Sequence, residues 1–309
     1  MDMIMTPSQI TAYMSDCTLC PRQCHADRAA GQTGFCGQTA ELTVARAALH
    51  FWEEPCISGS CGSGAVFFFG CGLRCVFCQN HSIATGRAKY SITPERLAEI
   101  FLELQKDHAA NINLVTAGHF IPQICRAIRL AKAEGLSIPV VYNTGSYEEP
   151  SSLRLLEGLV DIWLPDLKYY SAKLADACSH APDYFSKAAA AIEEMFRQAG
   201  APKFDDDTGL MKSGVIVRHL VLPGQVKDSK KVLRYLHSTY GNDIYVSILN
   251  QYTPMKQAAH LPGLNRLVTD DEYRRVLDFA EKIGIENGFM QESGTAEESF
   301  IPPFSTGVT

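Results

Sequence analysis

The chain has 309 residues, 46% of them hydrophobic, with a formal net charge of −6 at neutral pH. That length and apolar content suffice for one large core plus a small appendage. The acidic balance, without a basic run, excludes a phosphate-tracking nucleic-acid surface, and no stretch reaches the roughly 18 apolar residues of a membrane span.

The opening Met1-Asp2-Met3-Ile4-Met5 lacks the basic and apolar regions of a signal peptide, so a cytosolic location is expected. In such a setting eleven cysteines point to metal sites rather than disulfides. Four come early. Cys17, Cys20, Cys24 and Cys36 are spaced C-x2-C-x3-C-x11-C, in a segment rich in Gly, Ala and polar residues. Packing alone does not offset the ordering entropy of so short and polar a segment, whereas a bound metal contributes on the order of 10 kcal/mol. A structural zinc or an auxiliary iron–sulfur cluster is expected there, with His25 a bystander.

Leu42 to Trp52 reads as an extended, partly buried connector, and Cys56 to Gly64 as a glycine-rich turn with two thiols whose role is open. The apolar run Ala65-Val66-Phe67-Phe68-Phe69 is the first predicted strand of the main domain. It leads directly into Gly70-Cys71-Gly72-Leu73-Arg74-Cys75-Val76-Phe77-Cys78-Gln79-Asn80. Three thiolates on one short loop can converge on an iron–sulfur cluster while leaving one iron open for chemistry. A zinc loop or inert thiols are the plainer alternatives.

Beyond this loop, helical and strand signals alternate. A helix starts at the Thr93-Pro94-Glu95 cap, and Asn111–Thr116 is the second strand. An amphipathic helix over 121–134 stops at Gly135. Ile138–Tyr142 is the third strand, 151–159 a helix, and Asp161–Leu164 the fourth strand. Helical sequence covers 172–199, a polar acidic loop 202–213, and strands five and six 214–222 and 244–249, before a last helix over 270–282. Parallel β/α units of this number predict a partial (β/α)6 barrel over 62–309, with 1–61 a Cys-rich, metal-binding extension. In such barrels the reactive residues sit at the C-terminal strand ends.

The Cys71/Cys75/Cys78 loop resembles that of the radical S-adenosylmethionine (SAM) enzymes. Within that superfamily the chain is similar to pyruvate formate-lyase activating enzyme and its paralogues, in its Cys17-x-x-Cys20-Pro21-Arg22 segment, its Cys75-Val76-Phe77-Cys78-Gln79-Asn80 run and its Leu222-Pro223-Gly224 turn. The resemblance implies a [4Fe–4S] cluster on Cys71, Cys75 and Cys78, SAM as co-substrate, and hydrogen abstraction from a glycine of a partner protein such as a glycyl-radical enzyme. It also implies flavodoxin or ferredoxin as reductant. The alternatives are radical chemistry on a small molecule or another peptide, and a non-catalytic electron-transfer protein.

The strand ends supply further candidates. Where activating enzymes carry Gly-Gly-Glu, the second strand ends in Thr116-Ala117-Gly118-His119, whose carbonyls can accept from the SAM ammonium with His119 beside them. Asn143, ending the third strand, can bond ribose hydroxyls or a carboxylate. Asp166 and Lys168, two apart at the fourth strand end, face the same side, and the resemblance places both near SAM and substrate. Arg218 and His219 face opposite ways on strand five. One of them faces the barrel interior; the resemblance implies Arg218, bonding the SAM carboxylate, and Asn250, Gln251 or Tyr252 stands where relatives carry a histidine.

Overall fold

The computed structural model describes residues 4–88 and 90–291. In chain order it forms α1 (Pro7–Ser15), β1 (Val44–His50), α2 (Pro55–Ser58), β2 (Ser63–Phe68), α3 (His81–Ala84), α4 (Pro94–Lys106), β3 (Ile112–Val115), α5 (Ile121–Ala133) and β4 (Val140–Thr144). Then come α6 (Pro150–Leu153), β5 (Ile162–Pro165), α7 (Ala172–Ser179), α8 (Tyr184–Ala199), β6 (Lys203–Phe204), β7 (Met211–Leu220), α9 (Val226–Tyr240), β8 (Tyr245–Leu249), α10 (Asp270–Lys282) and β9 (Gly288–Met290).

The sheet runs β1-β2-β3-β4-β5-β7-β8-β9, parallel throughout from β2 to β9. This is the partial α/β barrel that the alternating pattern implies, and the six expected strands are β2, β3, β4, β5, β7 and β8. β2 to β5 are almost wholly buried because both faces are covered, as parallel strands require. The helices turn apolar stripes to the sheet. On α4 the stripe is Leu97, Ile100, Phe101 and Leu104, and the Thr93 hydroxyl caps the helix by accepting from the Arg96 N–H.

Three departures from the sequence reading matter. The connector after Leu42 contains a true strand, β1, which pairs antiparallel with β2. The loop at 202–213 contains β6, folded back onto β7. The helical stretch at 172–199 is two helices, broken at His180, which adopts a left-handed φ of 49° before Ala181-Pro182. Proline disfavours helical geometry at the residue before it, and the break follows.

The extension has little core of its own: Met14, Cys17 and Leu19, with Ile10 and Ala40 against them. α1 is held at its start by a capping box between Thr6 and Gln9.

Candidate active site

The cluster loop leaves β2 through Gly70, whose φ of 88° no ordinary side chain adopts cheaply, and a Cβ there would press on the Cys36 carbonyl. The C-terminal end of α7 then fixes the loop. The Val76 N–H donates to the Cys178 carbonyl at 2.9 Å, and the Ser179 hydroxyl donates to the Cys75 sulfur at 3.0 Å. The Cys71 sulfur accepts from the Leu73 N–H at 3.3 Å. The helix break at His180 therefore has a purpose: it stops α7 where Ser179 can reach Cys75.

Cys71, Cys75 and Cys78 line one wall of a cavity of about 550 Å³ at the barrel mouth. Burial pushes the Cys71 and Cys78 thiols up, Cys78 to about 12, and the neighbouring thiols add to it. Such groups shed their protons to a metal rather than to water.

The same cavity is lined by Thr116, Asn143, Asp166, Lys168 and Arg218, five of the expected residues. Thr116, at the end of β3, has a φ of 61°, a strained setting for a β-branched residue and one typical of functional sites. Asp166 and Lys168 form an ion pair at the end of β5. Burial opposes the ammonium, yet the Asp166 carboxylate and the Cys75 sulfur hold the Lys168 pKa above the usual lysine range. The Tyr184 hydroxyl accepts from the Lys168 N–H at 3.1 Å and lies 2.8 Å from the Asp166 carbonyl and 3.0 Å from that of Gly145, so it locks this turn.

Arg218 faces the cavity and His219 faces away, with its Nδ1 2.7 Å from the Leu167 carbonyl. The carboxylates that Arg218 meets belong to the chain itself. Its guanidinium is engaged by Glu54, at 2.8 and 2.6 Å, and by Glu53. Glu53 also accepts from Asn113 at 2.8 Å and Asn143 at 3.4 Å. This network ties β3, β4 and β7 to the segment after β1, and it engages the guanidinium of Arg218, the residue expected to meet a SAM carboxylate. Sequence reading missed Glu53 and Glu54 because they lie far from any barrel strand end; Glu-Glu after an extended connector was their only signal.

Of the three alternatives after β8, Gln251 and Tyr252 line the cavity, while the Asn250 backbone N–H donates to the Gln291 side chain at 2.8 Å.

Gly118 and His119 border a second, smaller cavity of about 50 Å³, together with Cys20, Cys36, Cys71, Thr116 and Glu148. The His119 ring places its Nε2 2.6 Å from the Phe69 carbonyl, and burial followed by the nearby Arg28 pushes its pKa down to about 3. A neutral ring bonding the end of β2 is thus its role in the fold. Glu148 was not foreseen. One carboxylate oxygen accepts from Thr144 at 2.7 Å and from Tyr142 at 3.3 Å, while the other is buried with no hydrogen-bond partner among the described residues. A Cβ at position 118 would overlap that carboxylate, so glycine there is what admits it. Burial raises Glu148 to about 7.

Cys56 and Cys61 line neither cavity; Cys56 belongs to a small apolar cluster with Ile57, Val141 and Ile162. Of the early thiols, Cys17 and Cys36 are buried and Cys24 is exposed, while the His25 ring pairs with Asp16 at the surface. Among the described residues no three His, Cys, Asp or Glu side chains are drawn close enough, as they stand, to hold a single metal ion. No helix among them is long and apolar enough to cross a membrane.

A barrel with three thiols on the loop after its first parallel strand defines the class. Residues 65–236, more than half of the chain, match the radical SAM superfamily. The chain belongs to that superfamily, whose members are enzymes, and membership implies a [4Fe–4S] cluster and SAM. A curated relative, an uncharacterised protein of Methanocaldococcus jannaschii, is 27% identical over 279 residues, covering 88% of this chain and 76% of its own. Among solved structures, Streptococcus suis SuiB bound to the precursor peptide SuiA is 12% identical over 73% of this chain, with a TM-score of 0.49. The anSMEcpe protein with bound AdoMet is 14% identical over 69%, again at 0.49. The chain spans 47% and 57% of those two structures' lengths.

The residues present fit the implied groups. Three thiols, Cys75 buried and Cys71 and Cys78 half-buried, line the cavity, which is of the size that holds a nucleoside-sized ligand. Charged and amide side chains line it for the polar ends of such a ligand.

Proposed function

We propose that this chain binds a [4Fe–4S] cluster through Cys71, Cys75 and Cys78 and cleaves SAM reductively to act on a glycine of a partner protein. The observation that carries this reading is the convergence of the three thiols on the cavity that also holds the Asp166–Lys168 pair. When bound, cluster and SAM supply methionine and a 5′-deoxyadenosyl radical able to abstract a hydrogen atom.

The chain's own residues bind and orient. Lys168, kept charged by Asp166, is the cation available to a carboxylate, since Arg218 is already engaged by Glu53 and Glu54. Asn143 presents its amide at the end of β4. Glu148, reaching over Gly118, places a carboxylate at the strand end where activating enzymes have Gly-Gly-Glu, and so offers an acceptor for the SAM ammonium. The protein substrate is supported by the resemblance of the Cys-Pro-Arg segment, the cluster loop and the Leu-Pro-Gly turn. The rim adds apolar area for a docked chain, with Trp52 and Met290 exposed at 59% and 53% beside the cavity. Flavodoxin or ferredoxin is the proposed reductant.

The test is anaerobic reconstitution followed by SAM and dithionite. The wild-type protein is expected to form 5′-deoxyadenosine, and a Cys71→Ala/Cys75→Ala/Cys78→Ala variant to form none. Production retained in that variant would overturn the assignment. Host extract grown on α-deuterated glycine is expected to transfer deuterium to the 5′-deoxyadenosine; cleavage without such transfer leaves SAM chemistry standing and removes the glycine substrate.

A further inference from the structure

Arg28 is 1% exposed, and no carboxylate is among its partners in the described residues. Its guanidinium donates to the carbonyls of Gln38 at 3.2 Å, Thr39 at 2.8 Å and His119 at 2.6 Å. It also lies 5.4 Å from the Phe120 ring centroid, and it donates to the Cys17 sulfur at 3.6 Å. Carbonyls share the protons of a buried cation but do not neutralise it, and an uncompensated buried charge is strongly destabilising. Among the described residues that hydrogen-bond Arg28, the one able to carry a negative charge is the Cys17 sulfur.

The four early thiols lie around that point. The Cys17 and His25 backbones are laced together, with the Cys17 N–H donating to the Ala26 carbonyl and the His25 N–H to that of Cys17. The Cys24 sulfur lies 3.8 Å from the Cys17 carbonyl and so close to Gly34 that a Cβ at 34 would overlap it. Cys20 and Cys36 both line the small cavity. Burial raises both their thiols, and the other thiols of the group add to it: Cys17 for each, and Cys24 for Cys36.

We propose that Cys17, Cys20, Cys24 and Cys36 hold a second metal centre as four thiolates and that Arg28 is its counter-cation. Four thiolates on a divalent zinc, or on an oxidised [4Fe–4S] core, leave a net charge of about −2, which a water-free guanidinium offsets. The N–H···S bond from Arg28 to Cys17 is the kind of contact by which a protein tunes such a centre. Metal binding closes the thiols about the ion or core, a step that couples to ordering of the segment. The site is distinct from the Cys71/Cys75/Cys78 loop yet lies against it: the Cys20 sulfur is 3.8 Å from where a Cβ of Gly72 would sit. The proposal does not depend on SAM cleavage.

The experiment is metal and sulfide analysis of the anaerobically purified full chain, in a Cys71→Ala/Cys75→Ala/Cys78→Ala background and in wild type against a Cys20→Ser/Cys36→Ser variant. The first protein is expected to retain either about one zinc, or about four iron with matching sulfide, per chain; the two results assign the metal. The wild-type minus Cys20→Ser/Cys36→Ser difference should be the same metal. If neither comparison yields a thiolate-bound metal, the site is refuted. Arg28→Met should speed release of that metal to a chelator at least tenfold while Arg28→Lys restores part of the retention. Equal release from Arg28→Met and wild type would overturn the counter-cation.

Discussion

Lys168 shows how a single residue keeps its charge inside a barrel. Burial alone would drive its proton off, and the Asp166 carboxylate and nearby sulfur reverse that balance. Its position is set by a neighbour, the Tyr184 hydroxyl, which spans the turn from Gly145 to Lys168. Asp166→Asn leaves the ammonium buried without its partner, and Lys168→Met removes the cation offered to the ligand. Each is expected to weaken SAM binding at least tenfold, about 1.4 kcal/mol, with the cluster's absorption spectrum unchanged. Isothermal titration of SAM into the reconstituted variants measures this; wild-type affinity in both would reduce the pair to a rim salt bridge.

At the scale of elements, the Leu222-Pro223-Gly224 turn acquires a physical role. Glu272, third residue of α10, accepts from the Thr269 backbone in a capping box, from the Gly224 N–H at 2.8 Å, and from Arg266 at 2.7 Å on each oxygen. Arg266 above all, opposed by partial burial, pulls its pKa down to about 2. A carboxylate so depressed contributes stability that is complete above about pH 4.5 and is lost as pH falls toward 2. Glu272→Gln should cost about 1–2 kcal/mol at pH 7 by loss of the cap, with a flatter acid limb in denaturation curves. A variant with the wild-type acid limb would contradict the assignment. This link shows what the sequence held and what it did not. The strand and helix periods were legible because burial enforces them, and so was the cluster loop, because its three thiols lie within one turn of chain. The α7–α8 break was legible in Pro182, though it reads as one helix when apolar spacing alone is followed. Glu53 and Glu54 were not legible, because they reach Arg218 across about 160 residues of chain. Glu148 bonds Thr144 and Tyr142 close by in sequence, but its approach to Gly118 carries no spacing signal.

For the whole molecule, the question is what holds the extension on the barrel when its own core is so small. Arg22, of the Cys-Pro-Arg segment, answers it. Its guanidinium donates to the Gly72 carbonyl of the cluster loop at 2.9 Å and to the Ser179 and His180 carbonyls ending α7 at 2.9 and 2.5 Å. It also lies 3.9 Å from the Phe35 ring centroid and 5.1 Å from that of Tyr147. One planar fork thus joins the extension, the loop that carries Cys71 and the helix end that supports Cys75, a geometry lysine's single ammonium does not reproduce. Hydrogen bonds from a charged donor contribute about 1.5–3 kcal/mol each when buried, less where water competes as it does at His180. Arg22→Ala should therefore loosen the extension without unfolding the barrel, and Arg22→Lys should recover only part of the loss. Hydrogen exchange of backbone amides over residues 17–40 is expected to accelerate at least tenfold in the alanine variant, while those of β3 to β5 keep wild-type rates. Unchanged exchange over 17–40 would mean that the extension is held by its other contacts, Arg28 to His119 foremost, and equal acceleration in β3 to β5 would mean that the extension and the barrel unfold as one unit.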